Sequence, residues 1–122
     1  MKLYFLLIVN VCILSVCFTA CEETYKESDV TFSCQYYDVD IHSDTLIIKI
    51  YDTDKNFIDS IQTDEEGKAV ITLPTATEYY VNAYGYNGNM HYVEGNTNFY
   101  LDNSNPYESV SIPFKYANDP NK

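Results

Sequence analysis

Arginine and tryptophan are absent from this chain of 122 residues, and basic residues of any kind are scarce. Seven lysines stand against 18 acidic residues, for a formal net charge of −11. Phosphate backbones are neutralised by clustered Lys and Arg, so nucleic acid is excluded as a partner class. Anionic lipid headgroups would be repelled in the same way, so no basic patch can hold this chain on a membrane. Cysteine is also sparse. Cys12 and Cys17 lie in an apolar leader and Cys21 directly follows it, so Cys34 alone remains for the folded part and no internal disulfide is expected there. Cys34 falls in an alternating stretch with no Lys or His beside it and reads as a small core residue, not a reactive thiol. The motifs of catalysis are missing too. There is no Gly-x-Ser-x-Gly, no His-Glu-x-x-His and no glycine-rich phosphate loop, and nothing selects a working pair among the many carboxylates. The expectation is a protein that is not an enzyme and needs no cofactor.

What is present begins at the N-terminus. One cation, Lys2, precedes an almost unbroken apolar run over residues 3–18, which ends in Phe18-Thr19-Ala20-Cys21. The pattern is that of a secretory signal peptide, and the run is short for a spanning helix, which needs about 20 apolar residues. A plain signal peptide cut nearby and an uncleaved helical anchor are the other readings of the same residues. The Thr19-Ala20-Cys21 step resembles the bacterial lipobox. That resemblance implies cleavage after residue 20, acylation of Cys21 and attachment to a membrane through its lipid. Glu22 and Glu23, just past the cysteine, resemble the export signal of Bacteroidetes-type lipoproteins, which implies the outer membrane and an outward-facing domain; a periplasm-facing lipoprotein is the alternative. Loss of the leader removes Lys2 and no acid, so the remainder is one charge more negative than the full chain.

The expected organisation is a leader over 1–20, an acidic tether with acylated Cys21 over 21–29, one domain over 30–116 and a polar tail over 117–122. From Val30 onward the apolar period is two. Val30, Phe32, Cys34 and Tyr36 alternate, as do Leu46, Ile48 and Ile50, then Ala69, Ile71 and Leu73. Further strands are predicted over 57–63, 77–86, 92–101 and 110–114. Turn chemistry separates them at 52–56, 64–67, 86–89 and 102–106. No amphipathic helix period follows residue 20. The pattern predicts an all-β domain, a single antiparallel β-sandwich of about seven strands. Pro113 cannot donate to a ladder, which predicts an edge or a bulge for the last strand.

A stretch from Thr45 through Tyr86 carries an apolar strand, Asp52-Thr-Asp-Lys-Asn56, Thr63-Asp-Glu-Glu-Gly67, Leu73-Pro74 and Tyr79-Tyr80-Val81. These resemble the prealbumin-like sandwiches, among them carboxypeptidase regulatory-like and Cna B-type domains, with Thr77 in the place of the family's glycine. The resemblance implies a fold and leaves function open. It does not bring a Lys–Asn isopeptide bond, because no Lys lies within residues 30–37 and Lys49 alternates outward. A fainter similarity to the first domain of fimbrillin-type pilus proteins implies an accessory or anchor role in a fimbrial assembly.

Two acidic stretches invite a metal reading. Asp52, Asp54 and Asn56 start like a calcium loop, but Phe57 and Thr63 stand where an EF-hand needs glycine and glutamate. Asp38, Asp40, His42 and Asp44 alternate, yet read more simply as a solvated loop. No metal site is assigned. Tyrosine is the unusual resource, with 13 in all and only Tyr4 in the leader. In the predicted strand over 77–86, Tyr79, Val81 and Ala83 form the core row, which turns Tyr80, Tyr84 and Tyr86 outward. Those three are the candidate ligand-binding residues. The expected function is a lipid-anchored, non-catalytic binding or structural module with a protein or glycan partner; the alternatives are the fimbrial accessory or anchor subunit and, third, a small envelope enzyme.

Overall fold

Period-two alternation gives each strand one row of apolar side chains, and the fold turns all these rows towards a single core. The computed structural model describes residues 23–121; the leader and Cys21 lie outside them. Among the described residues eight strands form and no helix does. They are β1 (Glu27–Tyr36), β2 (Val39–Asp40), β3 (Ile47–Tyr51), β4 (Phe57–Gln62), β5 (Lys68–Pro74), β6 (Thr77–Tyr86), β7 (Tyr92–Leu101) and β8 (Tyr107–Tyr116). Among the described residues no helix is long and apolar enough to cross a membrane.

The strands form one mixed sheet in the order β2-β1-β8-β7-β6-β3-β4, with β5 also paired to β1. The sheet curls into a half-barrel. One layer is β5, β2, β1 and β8; the other is β7, β6, β3 and β4. Phe32, Leu46, Ile48, Ile50, Val81, Leu101 and Ile112 are fully buried between them, each worth about 1.5–3 kcal/mol in burial. Cys34 is buried in the same core, and burial pushes its thiol up to about 12.

Every pair is antiparallel but one. β8 runs parallel to β1, from Asp29↔Tyr107 to Gln35↔Pro113. The reason is the direction of β7, which delivers the chain to the end of the molecule where β1 begins. β8 must reverse β7 and so shares the direction of β1. The expected edge position for the last strand is therefore corrected: β8 lies inside the sheet, between β1 and β7. Pro113 sits where β8 leaves β1 and its next residue, Phe114, pairs with Gly95 of β7. A missing N–H is tolerated at that change of partner.

β1 also starts three residues before Val30. Asp29 pairs with Thr72 and Ser28 with Leu73, and the Tyr25 N–H donates to Asn103 O at 2.9 Å. The chain is thus docked from Tyr25 onward. Composition hides this, because Glu27 and Asp29 occupy the solvent parity and the inward residue, Ser28, is small.

The β4–β5 turn is held by Asp64, whose Oδ1 accepts from the N–H groups of Glu66 and Lys68 at 2.9 and 3.0 Å. Gly67 closes it with φ of 74°, and a Cβ there would lie 1.8 Å from Ile41 O. Gly67→Ala is expected to cost about 3 kcal/mol or more, from the left-handed backbone and a clash with main chain that has no rotamer to escape through. Urea denaturation measures it; a loss under about 1 kcal/mol would show that the segment around Ile41 yields.

Candidate ligand-binding face

The outer face of the β4-β3-β6-β7 layer is set by register. β6 contributes Tyr80, Asn82, Tyr84 and Tyr86, while Tyr79, Val81 and Ala83 are buried on its other side. Tyr79 is fixed inward by a hydrogen bond from its hydroxyl to Pro74 O at 2.6 Å. Pairing then places Tyr51 beside Tyr80, Lys49 beside Asn82 and Ile47 beside Tyr84 on the β3 side. On the β7 side it places Asn98, Asn96, Glu94 and Tyr92 beside Tyr80, Asn82, Tyr84 and Tyr86. The result is a sheet surface of phenol rings interleaved with amides.

The three tyrosines named from the sequence occupy this face but differ in surroundings. Tyr80 is exposed and sits 6.1 Å from the Tyr51 ring, which in turn meets Phe57 edge-on at 5.9 Å. Tyr84 is half-buried, with Lys49 Nζ 5.4 Å from its ring centroid. That placement also keeps Lys49 outside the core. Tyr86 packs on Tyr92 at 5.7 Å. Its hydroxyl donates to the Asp119 carboxylate, with oxygens at 2.9 and 3.0 Å, and accepts from Asn121 Nδ2 at 3.0 Å. Tyr86 is therefore committed to the C-terminal segment, and Tyr80 and Tyr84 are the rings left to a ligand. Burial first, then the nearby Glu94, Tyr84, Asp119 and Tyr86, push the Tyr92 phenol up.

At the Tyr80 end the face deepens into a cavity of about 530 Å³, lined by Tyr51, Asp52, Thr53, Lys55, Tyr80 and Asn98 among others. Ligand sites commonly enclose about 300–1,000 Å³. Sequence reasoning missed Tyr51, Asn96 and Asn98. Their outward parity was readable within each strand, but which strands stand side by side was not.

The wall over 52–56 is built by Asp52. Its Oδ1 accepts from the N–H groups of Asp54 and Asn56 at 2.9 and 2.8 Å, and Oδ2 accepts from Asn56 Nδ2 at 3.1 Å. The carboxylate that resembled the start of a calcium loop is thus spent on its own turn. Among the described residues no three His, Cys, Asp or Glu side chains converge on one point. Asp38 lies in the β1–β2 turn and Asp40 in β2, where Asp40 Oδ1 accepts from Gln35 Nε2 at 3.1 Å.

No family model matches the chain, and no curated protein matches it in sequence. Solved structures that resemble it include the Bacillus anthracis TIE protein, at 15% identity with a TM-score of 0.54. Another is titled S.CueP, at 13% identity and the same TM-score. Each match covers 74% of this chain, but only 17% of the first protein and 64% of the second. At such identity the likeness establishes an all-β fold and carries no activity across.

Hydrogen bonds from Asn56 and Asp54 hold the Asp52 carboxyl below the usual carboxylate range. A depressed folded value means the stabilisation is present above the unfolded value, about 3.9, and is lost as pH falls through the lower folded value. The amide resonances of Asp54 and Asn56 should therefore titrate together with a midpoint below about 3.9. A midpoint at or above that value would show that these bonds do not form in solution.

Proposed function

We propose that this chain is a lipid-anchored binding module of the prealbumin-like kind, displayed on the outside of the outer membrane, that holds a neutral glycan on its tyrosine face without catalysis. The observation that carries this reading is the outer surface of β3, β6 and β7, where Tyr51, Tyr80 and Tyr84 stand among Asn82, Asn96 and Asn98. Phenol rings stack on the apolar C–H faces of sugars, and amides both donate to and accept from hydroxyls. The net charge of −11 disfavours acidic glycans and leaves neutral ones. Anchoring rests on Cys21 and the leader pattern alone.

Two measurements follow. Affinity electrophoresis of the full chain in detergent, through gels containing neutral or acidic polysaccharides, is expected to show retardation in at least one neutral gel. The double variant Tyr80→Ala/Tyr84→Ala should weaken it at least about tenfold, or 1.4 kcal/mol, with stability lowered by no more than about 1 kcal/mol. Retention by no neutral polymer would overturn the glycan reading, and a large stability loss would mean the rings serve the fold. For the anchor, Cys21→Ala is expected to abolish acylation and move the protein out of the membrane fraction. A variant that stays in membranes at the unmutated level after a high-salt wash would refute a lipid anchor at Cys21.

One feature favours the fimbrial accessory role as a second reading. Among the described residues β4 bonds only to β3, so its outer edge is open to a partner's strand. Asp59, opposite Ile50 and exposed, works against it, since a charge on a free edge strand is a common guard against pairing.

A further inference from the structure

The half-barrel has two ends. β1, β6 and β8 place the N-terminal segment and the loops 74–77 and 102–106 at one of them. The other end holds Tyr36, Tyr116 and the turns 37–38 and 86–91. Ten residues of β1 separate the two, about 33 Å at the usual strand rise. At this far end is a cavity of about 470 Å³, bounded by Tyr36, Tyr37, Asp40, His42, Asn87 and Tyr116 among others.

Its aromatic wall is continuous. The Tyr36 ring lies 4.6 Å from Tyr37 and 4.9 Å from Tyr116, and His91 meets Tyr116 at 5.5 Å. Tyr36 and Tyr116 lie on the core parity of β1 and β8, one step beyond Cys34 and Phe114, so they floor the mouth of the barrel. Such mouths are recurrent ligand sites.

The backbone gives a second, independent sign. Tyr36 pairs with Val39, which leaves Tyr37 and Asp38 as a two-residue hairpin loop. Both have positive φ, 51° and 62°. That is the type I′ geometry, whose preferred residues are Asn and Gly because a bulky side chain is strained there. The chain instead sets tyrosine at the first position and leaves it 84% exposed. Met90, facing the same end, also has positive φ, 64°, and is 74% exposed. Strain and exposure both work against stability, and the ring of Tyr37 returns little to the core. Costs of this kind persist where the site needs the side chain.

We infer that the mouth of the half-barrel is a second binding site, one that takes the terminal sugar unit of a neutral glycan. The walls supply stacking faces and the rim supplies polar groups of both kinds. Asn87 Oδ1 accepts from the N–H groups of Asn89 and His91 at 3.0 and 2.9 Å, so its amide –NH₂ is the group a ligand meets. Asp40 is a carboxylate acceptor, and no Lys lines the cavity. With Asp38 in the adjacent turn, an anionic ligand is repelled. A hydroxyl-rich neutral ring uses donors, acceptors and stacking surface together. The floor of tyrosines closes the cavity on one side, which suits a chain end, whereas the open sheet face suits a chain's interior. The site stands at the end remote from residue 23, where a protein tethered through its N-terminus presents itself to its surroundings.

The test uses the full chain in detergent with a panel of neutral disaccharides, namely maltose, cellobiose, lactose and mannobiose. Saturation-transfer NMR detects contact and calorimetry gives affinity. At least one should bind, and Tyr37→Asn and Tyr116→Ala should each weaken it tenfold or more. Tyr37→Asn should also raise the melting temperature by on the order of 4 °C, because asparagine suits the turn. Tyr80→Ala/Tyr84→Ala should leave disaccharide affinity unchanged, which separates this site from the sheet face. Binding by none of the four, or affinity lost in the face variant and kept in the mouth variants, would overturn the inference. So would capture of an apolar peptide in their place. Disaccharide binding that survives while long polymers fail to bind would sink the sheet-face reading and leave this one standing.

Discussion

Everything in this fold hangs on the close approach of Gly95 to Pro113. β8 begins as the parallel neighbour of β1 and ends as the antiparallel neighbour of β7. Among the described residues it is the strand that joins the two layers, and the transfer happens at this contact. A Cβ on Gly95 would lie 2.3 Å from Pro113 O, so only glycine lets the two backbones meet. Pro113 ends the β1 ladder without wasting a donor. Without this corner the sheet would have no bend, and the inner rows of its layers would face solvent.

The bend also decides what the outside of the molecule can do. A sheet packed on one face leaves the other to water, so every inward tyrosine such as Tyr79 has outward counterparts such as Tyr80 and Tyr84. On the outer face, three strands in register turn single residues into a surface. The same alternation, run one step past the core at the far end, turns Tyr36 and Tyr116 from core residues into the floor of a mouth. Outer face and core thus arise from one pattern read on two sides.

Much of this was legible in the chain. Period-two alternation located seven of the eight strands, and parity placed Tyr79, Val81 and Ala83 inside with Tyr80 outside. β2 escaped because it is two residues long and both are exposed. The start of β1 escaped because main-chain pairing needs no apolar side chain. The neighbour relations escaped for a deeper reason. Alternation fixes which way a side chain points but not which strand lies alongside, since pairing depends on loop paths and on the corner at Gly95. That is why Tyr51 and Asn98 were not joined to Tyr80, and why the mouth, made of residues 36 to 116, had no signature at all.

Both ends of the barrel are closed by main-chain bonds and each carries a strained residue, Ala76 at the N-terminal end and Tyr37, Asp38 and Met90 at the other; they differ in which side chains the strained turns hold. At the N-terminal end the core is sewn shut by main-chain bonds. Tyr25 donates to Asn103, Asp29 to Pro106, Thr75 to Lys26 and Ala76 to Leu101, all at 2.7–3.0 Å. At the far end Ile41 donates to Cys34 and Asn87 to His91, at 2.8 and 2.9 Å, but the chain keeps a strained tyrosine turn, exposed Val39 and Met90, and the cavity beside Tyr36. A domain this small has little stability to spare. Had the far end only to cover the core, asparagine and glycine in the β1–β2 turn would do it at lower cost. The choice of tyrosine over asparagine at position 37 follows if that end meets a ligand and needs its rings in place before the ligand arrives.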